Sequence, residues 1–264
     1  MINRVKDKLR SGERVLGSFI GFYSPNFIEM IGYAGFDFVV IDDEHGAFSS
    51  SELENMIRTA ESVDLVPIVR VSYDPSSIQK ALDRGAKGVQ VPMVNSKEDA
   101  IKAVKRAKFP PLGTRGVAYS HRAARYGNQG GKAFLDSSDE NILVIPHIET
   151  LEAVENIGEI MGVEGIDVLF IGTTDLSVDM GFKEEGANHP EVQGVIRNLY
   201  QTASENNVAI GTVAADSTGA QQAFEKGANY VGVVANSVIL KALQIVVEDT
   251  KRVGNEMTNR GIRK

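Results

Sequence analysis

A chain of 264 residues with 42% apolar and 24% charged side chains can bury a large core, and a net charge of -7 argues against a polyanionic partner such as nucleic acid. Zero cysteines exclude disulfides and thiolate chemistry. No apolar run approaches the ~20 residues of a membrane-spanning helix, and the opening MINRVKDKLRSGERVLG lacks the apolar stretch of a signal peptide, so a cytoplasmic protein with no membrane partner is expected.

Taken in chain order, apolar runs with the look of buried parallel strands occur at VLGSFIGF (15–22), FDFVVID (36–42), VPIVRV (66–71), GVQVPMV (88–94), ILVIPHIE (142–149), DVLFIG (167–172), VAIGTVA (208–214) and YVGVVA (230–235). Helical spacing fills the intervals at 25–34, 50–63, 75–84, 96–107, 150–161, 190–206, 217–226 and 237–252. Segments such as DPSSIQKALDRG and STGAQQAFEKG open on capping residues and close on glycine. Eight β-then-α units predict a (β/α)8 TIM barrel spanning 1–264 as a single domain. An open doubly wound sheet is the competing fold, but no G-x-G-x-x-G follows the first strand. The basic stretch KAVKRAK (102–108) reads as the solvated face of a helix.

Two segments break the rhythm. The first, 109–141, is a Gly- and Arg-rich insertion after the fourth helix, carrying Arg115, Arg122 and Arg125, and it is expected beside the barrel mouth. The second is the shorter 176–189.

In a barrel the chemistry sits at the C-terminal ends of the strands. VVIDDEHGAF (39–48) runs from an apolar strand into Asp42, Asp43, Glu44 and His45; the third strand ends at Arg70, the fifth at His147 and Glu149, and the sixth leads to Asp175. Glu149 and Asp175 offer hard oxygens to a divalent ion such as Mg²⁺ or Mn²⁺, or form a carboxylate pair neutralised by Arg70. Taken alone, Asp175 reads as the cap of LSVDMG. His45 suits a general base or a structural hydrogen-bonding group, and Arg70 suits an oxyanion clamp or a partner for Asp42 or Glu44. These strand ends hold no lysine, which argues against Schiff-base chemistry.

GFDFVVIDDEHG, VPIVRV, VQVPMVNSKEDA, FPPLGTRGV, IPHIET and IGTTDLSVDMG occur in an order that resembles the HpcH/HpaI aldolase family, over about 15–250. The resemblance implies a metal-dependent class II pyruvate aldolase that cleaves or forms 4-hydroxy-2-oxo acids. Position by position it implies His45 as base, Asp83 as the acid raising its basicity, Arg70 as the enolate-stabilising arginine, and Glu149 and Asp175 as ligands of Mg²⁺ or Mn²⁺. It also implies a homo-oligomer, typically a hexamer, and the apolar face of 237–253 offers a surface for one. Family members commonly carry Gln where this chain has His147, and GTTDLS replaces GPADLS. His147 and the backbone N–H of Thr174 are then expected at the 2-oxo acid, whose cleavage releases an aldehyde. A citrate-lyase-like enzyme acting on a CoA thioester, held by Arg115, Arg122 and Arg125, and a non-catalytic binding barrel are the alternatives.

Overall fold

The structure, a computed structural model, describes residues 3–261. Eight parallel strands, β1 (Val15–Ile20), β2 (Phe38–Asp42), β3 (Val66–Arg70), β4 (Gly88–Val91), β5 (Leu143–Ile148), β6 (Val168–Ile171), β7 (Ala209–Ala214) and β8 (Tyr230–Val234), close into one barrel in sequence order. The predicted (β/α)8 fold is therefore the observed one. Each predicted strand forms, shortened at its ends.

Period-two alternation explains why these strands are apolar throughout. On β2, Phe38 and Val40 point into the barrel beside Phe19, Ile68, Ile145, Phe170 and Tyr230, whereas Val39 and Ile41 pack outward on the helices. Both faces are buried, so both carry apolar residues. Large rings inside are accommodated by glycines: a Cβ on Gly17 would overlap the ring of Phe38, and one on Gly232 the ring of Phe19.

The helices are α1 (Arg4–Arg10), α2 (Pro25–Tyr33), α3 (Ser50–Ser62), α4 (Ser77–Asp83), α5 (Lys97–Ala107), α6 (Gly131–Asn141), α7 (Leu151–Glu155), α8 (Ile157–Met161), α9 (Thr173–Asp179), α10 (Pro190–Glu205), α11 (Ser217–Glu225) and α12 (Ala235–Gly261). Serine caps set several starts: Ser49 and Glu52 close a reciprocal capping box on α3, and Ser96 accepts from the N–H of Asp99 on α5. The expected helix at 150–161 is two short ones joined at Asn156. Helix α1, unread in the sequence, docks against the barrel through buried Val5 and Lys6; Lys6 meets Asp167 at 2.8 Å and the carbonyl of Ile142 at 2.9 Å.

The insertion 109–141 departs from expectation. It follows α5 and precedes β5, so it lies at the N-terminal end of the strands, opposite the mouth. It contains a 3-10 turn (Arg122–Gly127) and α6. Two of its three arginines are paired there: buried Arg115 meets Asp83 at 2.7 Å, and Arg122 pairs with Glu61 and donates to the carbonyl of Arg84 at 3.0 Å. The reason is topological, because only the loops that leave strands reach the mouth.

The C-terminal helix forms, but from Leu240 to Lys251 every position is exposed. The apolar side chains of Leu240, Leu243, Ile245 and Val246 are thus not covered by their own barrel. Among the described residues no helix is long and apolar enough to cross a membrane.

Candidate active site

Strand parity brings the site together. Asp42 continues the inward series of Phe38 and Val40, Arg70 that of Val66 and Ile68, and His147 and Glu149 that of Leu143 and Ile145. Asp42 is the register partner of Arg70, which is the partner of Gln90 on β4. Polar side chains at the upper inward positions are the floor and wall of the mouth.

The opening acidic run divides its labour over one tight turn. Asp42 Oδ1 accepts the N–H groups of Glu44 and His45 at 3.2 and 3.3 Å, and its carbonyl accepts from Gly46 at 3.0 Å. A side chain at Gly46 would overlap that carbonyl, so glycine is required for the close approach. Arg70 grips Asp42 bidentately, Nε to Oδ1 at 2.8 Å and Nη2 to Oδ2 at 2.6 Å, while its Nη1 faces Glu44 at 3.3 Å. Burial raises the Asp42 pKa, but the hydrogen bonds and charge of Arg70 outweigh it and hold the carboxyl below its usual value. Two acids thereby neutralise and orient one arginine. His45 is left at the tip with its side chain 67% exposed and Nε2 3.8 Å from Glu44.

Glu149 follows β5 and is 4% exposed. Its Oε1 accepts the N–H of Met93 at 2.6 Å, and its Oε2 lies 3.2 Å from His147 Nδ1. Burial pushes its pKa up, yet the His147 and Met93 hydrogen bonds and the Arg70 charge bring it below the ordinary value, so it is ionised at neutral pH. Gly172, which follows β6, allows the turn into α9 to graze this carboxylate: a Cβ there would lie 2.5 Å from Oε2. Asp175 sits in the first turn of α9 and is exposed; the N-cap position is Gly172, so Asp175 is not the cap its sequence context suggested. Thr174 shares that turn, and no side chain caps its N–H groups. Tyr73, in the loop after β3, reports the shared space, since partial burial together with Glu44, Glu149 and Asp175 pushes its phenol up to about 12.

Among the described residues no three His, Cys, Asp or Glu side chains cluster as a metal cage. Two carboxylates, one of them held ionised in a glycine-lined cradle, still fit Mg²⁺ or Mn²⁺, which keep water and substrate oxygens in most of their octahedral positions.

Two site expectations meet a different geometry. Asp83 ends α4, the end that leads back to the start of β4, and its carboxylate faces Arg115 and His121 at 2.7 and 3.4 Å. Among the described residues no hydrogen bond or ion pair joins it to His45 within the chain. His147 is 1% exposed and lies under Glu149, inside the barrel. Its Nε2 is 3.0 Å from Gln90 Oε1, and Gln90 Nε2 donates to the Tyr230 hydroxyl at 3.0 Å. Gln90 and Tyr230 were not singled out in the sequence, although a lone amide inside the apolar run GVQVPMV was a readable signal.

Comparison with known proteins gives the same ordered motifs a setting. A 4-hydroxy-2-oxo-heptane-1,7-dioate aldolase of Salmonella dublin is 35% identical over 242 residues, 91% of each chain. A hydroxypyruvate/pyruvate aldolase of Pseudomonas aeruginosa is 34% identical over 246 residues, 92% of this chain and 91% of its own. A solved citrate synthase superposes with a TM-score of 0.83 at 28% identity, over 95% of this chain and 98% of its own. The family model of the HpcH/HpaI aldolase/citrate lyases matches residues 16–240. With the barrel closed and the acids, arginine and histidine gathered at its mouth, the chain belongs to the HpcH/HpaI aldolase/citrate lyase family and is a lyase.

Proposed function

We propose that this protein cleaves, and in reverse forms, a 4-hydroxy-2-oxo acid, giving pyruvate and an aldehyde with the help of a divalent metal ion. The observation that carries this reading is the buried, ionised Glu149 after β5, with Asp175 in the first turn after β6 and both acting on Tyr73, beside an arginine already fixed by Asp42. Glu149 and Asp175 would hold Mg²⁺ or Mn²⁺, which when bound supplies Lewis-acid polarisation of the 2-oxo acid. The names of the Salmonella and Pseudomonas relatives point to the same class of 2-oxo substrate.

The chain's own residues divide the remaining work. Asp42 accepts two of the five N–H groups of Arg70 and Glu44 pairs with its Nη1, leaving others for the oxygen on which enolate charge develops. His45, exposed at the tip of its turn, takes the proton of the 4-hydroxyl, directly or through water, as the carbon–carbon bond breaks. The first-turn N–H of Thr174 meets the substrate carboxylate. His147 is enclosed beneath Glu149, so its contribution to substrate is made through that carboxylate.

A pairing of Asp83 with His45, which the resemblance implies, requires a second copy of the chain, because the two lie toward opposite ends of one barrel. The uncovered apolar face of α12 supports such a homo-oligomer. A CoA-thioester lyase is less well supported: Arg115, Arg122 and Arg125 lie away from the mouth, so one chain brings no arginine cluster to a nucleotide there.

Pyruvate release from a panel of 4-hydroxy-2-oxo acids, with and without Mg²⁺ or Mn²⁺, tests the proposal. Metal-dependent release supports it. Activity confined to CoA thioesters, or none with any hydroxy-oxo acid, overturns it.

A further inference from the structure

A buried polar chain crosses the barrel beneath the mouth. It starts at Tyr230 on β8, whose ring stacks on Phe38 at 4.1 Å and meets Phe170 edge-on at 6.2 Å. Held on two sides, the hydroxyl has one place to be. Gln90 Nε2 donates to it at 3.0 Å, so the amide is fixed at one end and presents Oε1 to His147 Nε2, also at 3.0 Å. The His147 ring stacks on Phe170 at an interplanar angle of 27°, with centroids 4.6 Å apart, and its Nδ1 lies 3.2 Å from Glu149 Oε2. Tyr230, Gln90 and His147 are 0%, 0% and 1% exposed, so water does not substitute for any link. Burial keeps the Tyr230 phenol protonated by raising its pKa well above 10.

We propose that Tyr230, Gln90 and His147 are positioning residues that orient the Glu149 carboxylate for a divalent cation, resting on the reading above that Glu149 is a ligand. The Met93 N–H holds one Glu149 oxygen and the chain holds the other, so the carboxylate cannot rotate about its terminal bond without breaking a contact. An octahedral Mg²⁺ or Mn²⁺ tolerates little misalignment, and partners one layer out from a ligand set its affinity. Without the Tyr230 hydroxyl the Gln90 amide loses one of its two anchors. His147 then loses its fixed partner, and the disorder reaches Glu149.

Mutual satisfaction of core polar groups, with no effect on cation binding, is the competing explanation, and Mn²⁺ affinity separates the two. In full-length protein, Mn²⁺ binding is titrated by electron paramagnetic resonance of the free ion, and thermal unfolding is recorded for each variant. Gln90→Leu should raise the Mn²⁺ dissociation constant about tenfold, the lower end of the range for outer partners of a ligand, and Tyr230→Phe, which keeps both ring contacts and lies one link farther out, about threefold. Ile145→Val, beside Gln90 in register but outside the chain, should lower the melting temperature and leave Mn²⁺ affinity unchanged. Wild-type affinity in folded Tyr230→Phe and Gln90→Leu, with binding lost in Glu149→Ala, overturns the positioning role alone. Unaltered Mn²⁺ binding by Glu149→Ala, or none by the wild type, overturns the ligand assignment itself. If Gln90→Leu does not fold, Tyr230→Phe decides.

Discussion

Arg70 and Asp42 are register partners on adjacent strands and meet through two parallel hydrogen bonds of 2.8 and 2.6 Å. The fork of the guanidinium matches the carboxylate, so the arginine reaches the mouth already oriented. Catalysis gains from such preorganisation because no reorganisation is left to the reacting step.

Asp42→Asn should therefore lower kcat by roughly 10- to 100-fold through misplacement of Arg70. Losing the partner of a mostly buried arginine should also destabilise the fold by about 2 kcal/mol near neutral pH. The sign with pH follows from the direction of the shift. The folded Asp42 pKa lies below its ordinary 3.8, so its contribution is present above 3.8 and disappears as pH falls through the folded value. Chemical denaturation at a series of pH values should show wild type and variant converging in acid; a constant difference would refute the pairing as its source.

Chelation by EDTA should abolish cleavage, and Mg²⁺ or Mn²⁺ should restore it. Glu149→Ala should remain folded and inactive. Full turnover by the metal-stripped protein would exclude a class II mechanism.

His45→Ala should reduce kcat by on the order of 10² to 10⁴, the range for loss of a general base. A variant within a few-fold of wild type moves the base to Glu44.

Arg122→Ala tests the corrected position of the insertion. Its guanidinium links Glu61 to the carbonyl of Arg84 and its side chain is 14% exposed, so removal should lower stability by about 1 to 2 kcal/mol. A change in aldehyde preference with no loss of stability would return the loop to substrate recognition.

Leu243→Asp together with Val246→Asp places two charges on one face of α12, at i and i+3. Sedimentation should show the wild type as an assembly and the variant as a monomer. A monomeric wild type at micromolar concentration would remove the oligomer, and with it any role of Asp83 on His45.

Gln90 shows why part of the site escaped notice. It stands in an apolar strand with no charge to flag it, and only closure of the barrel puts β4 across from β8 and brings the Tyr230 hydroxyl to the amide. Asp83 shows the converse: the motif that carries it is legible, but the position of a helix end relative to His45 is not a property of local sequence.

The sequence by itself determined the eight β/α units, the strand-end positions of Asp42, Arg70, His147 and Glu149, and the family motifs, because side-chain periodicity and turn chemistry are local. It did not determine the end of the barrel on which 109–141 lies, the burial of His147, or the exposure of α12. Those depend on which loops leave strands and which return to them, and on contacts between residues far apart in the chain. Tertiary packing decided them by setting which polar groups were desolvated and therefore had to find one another.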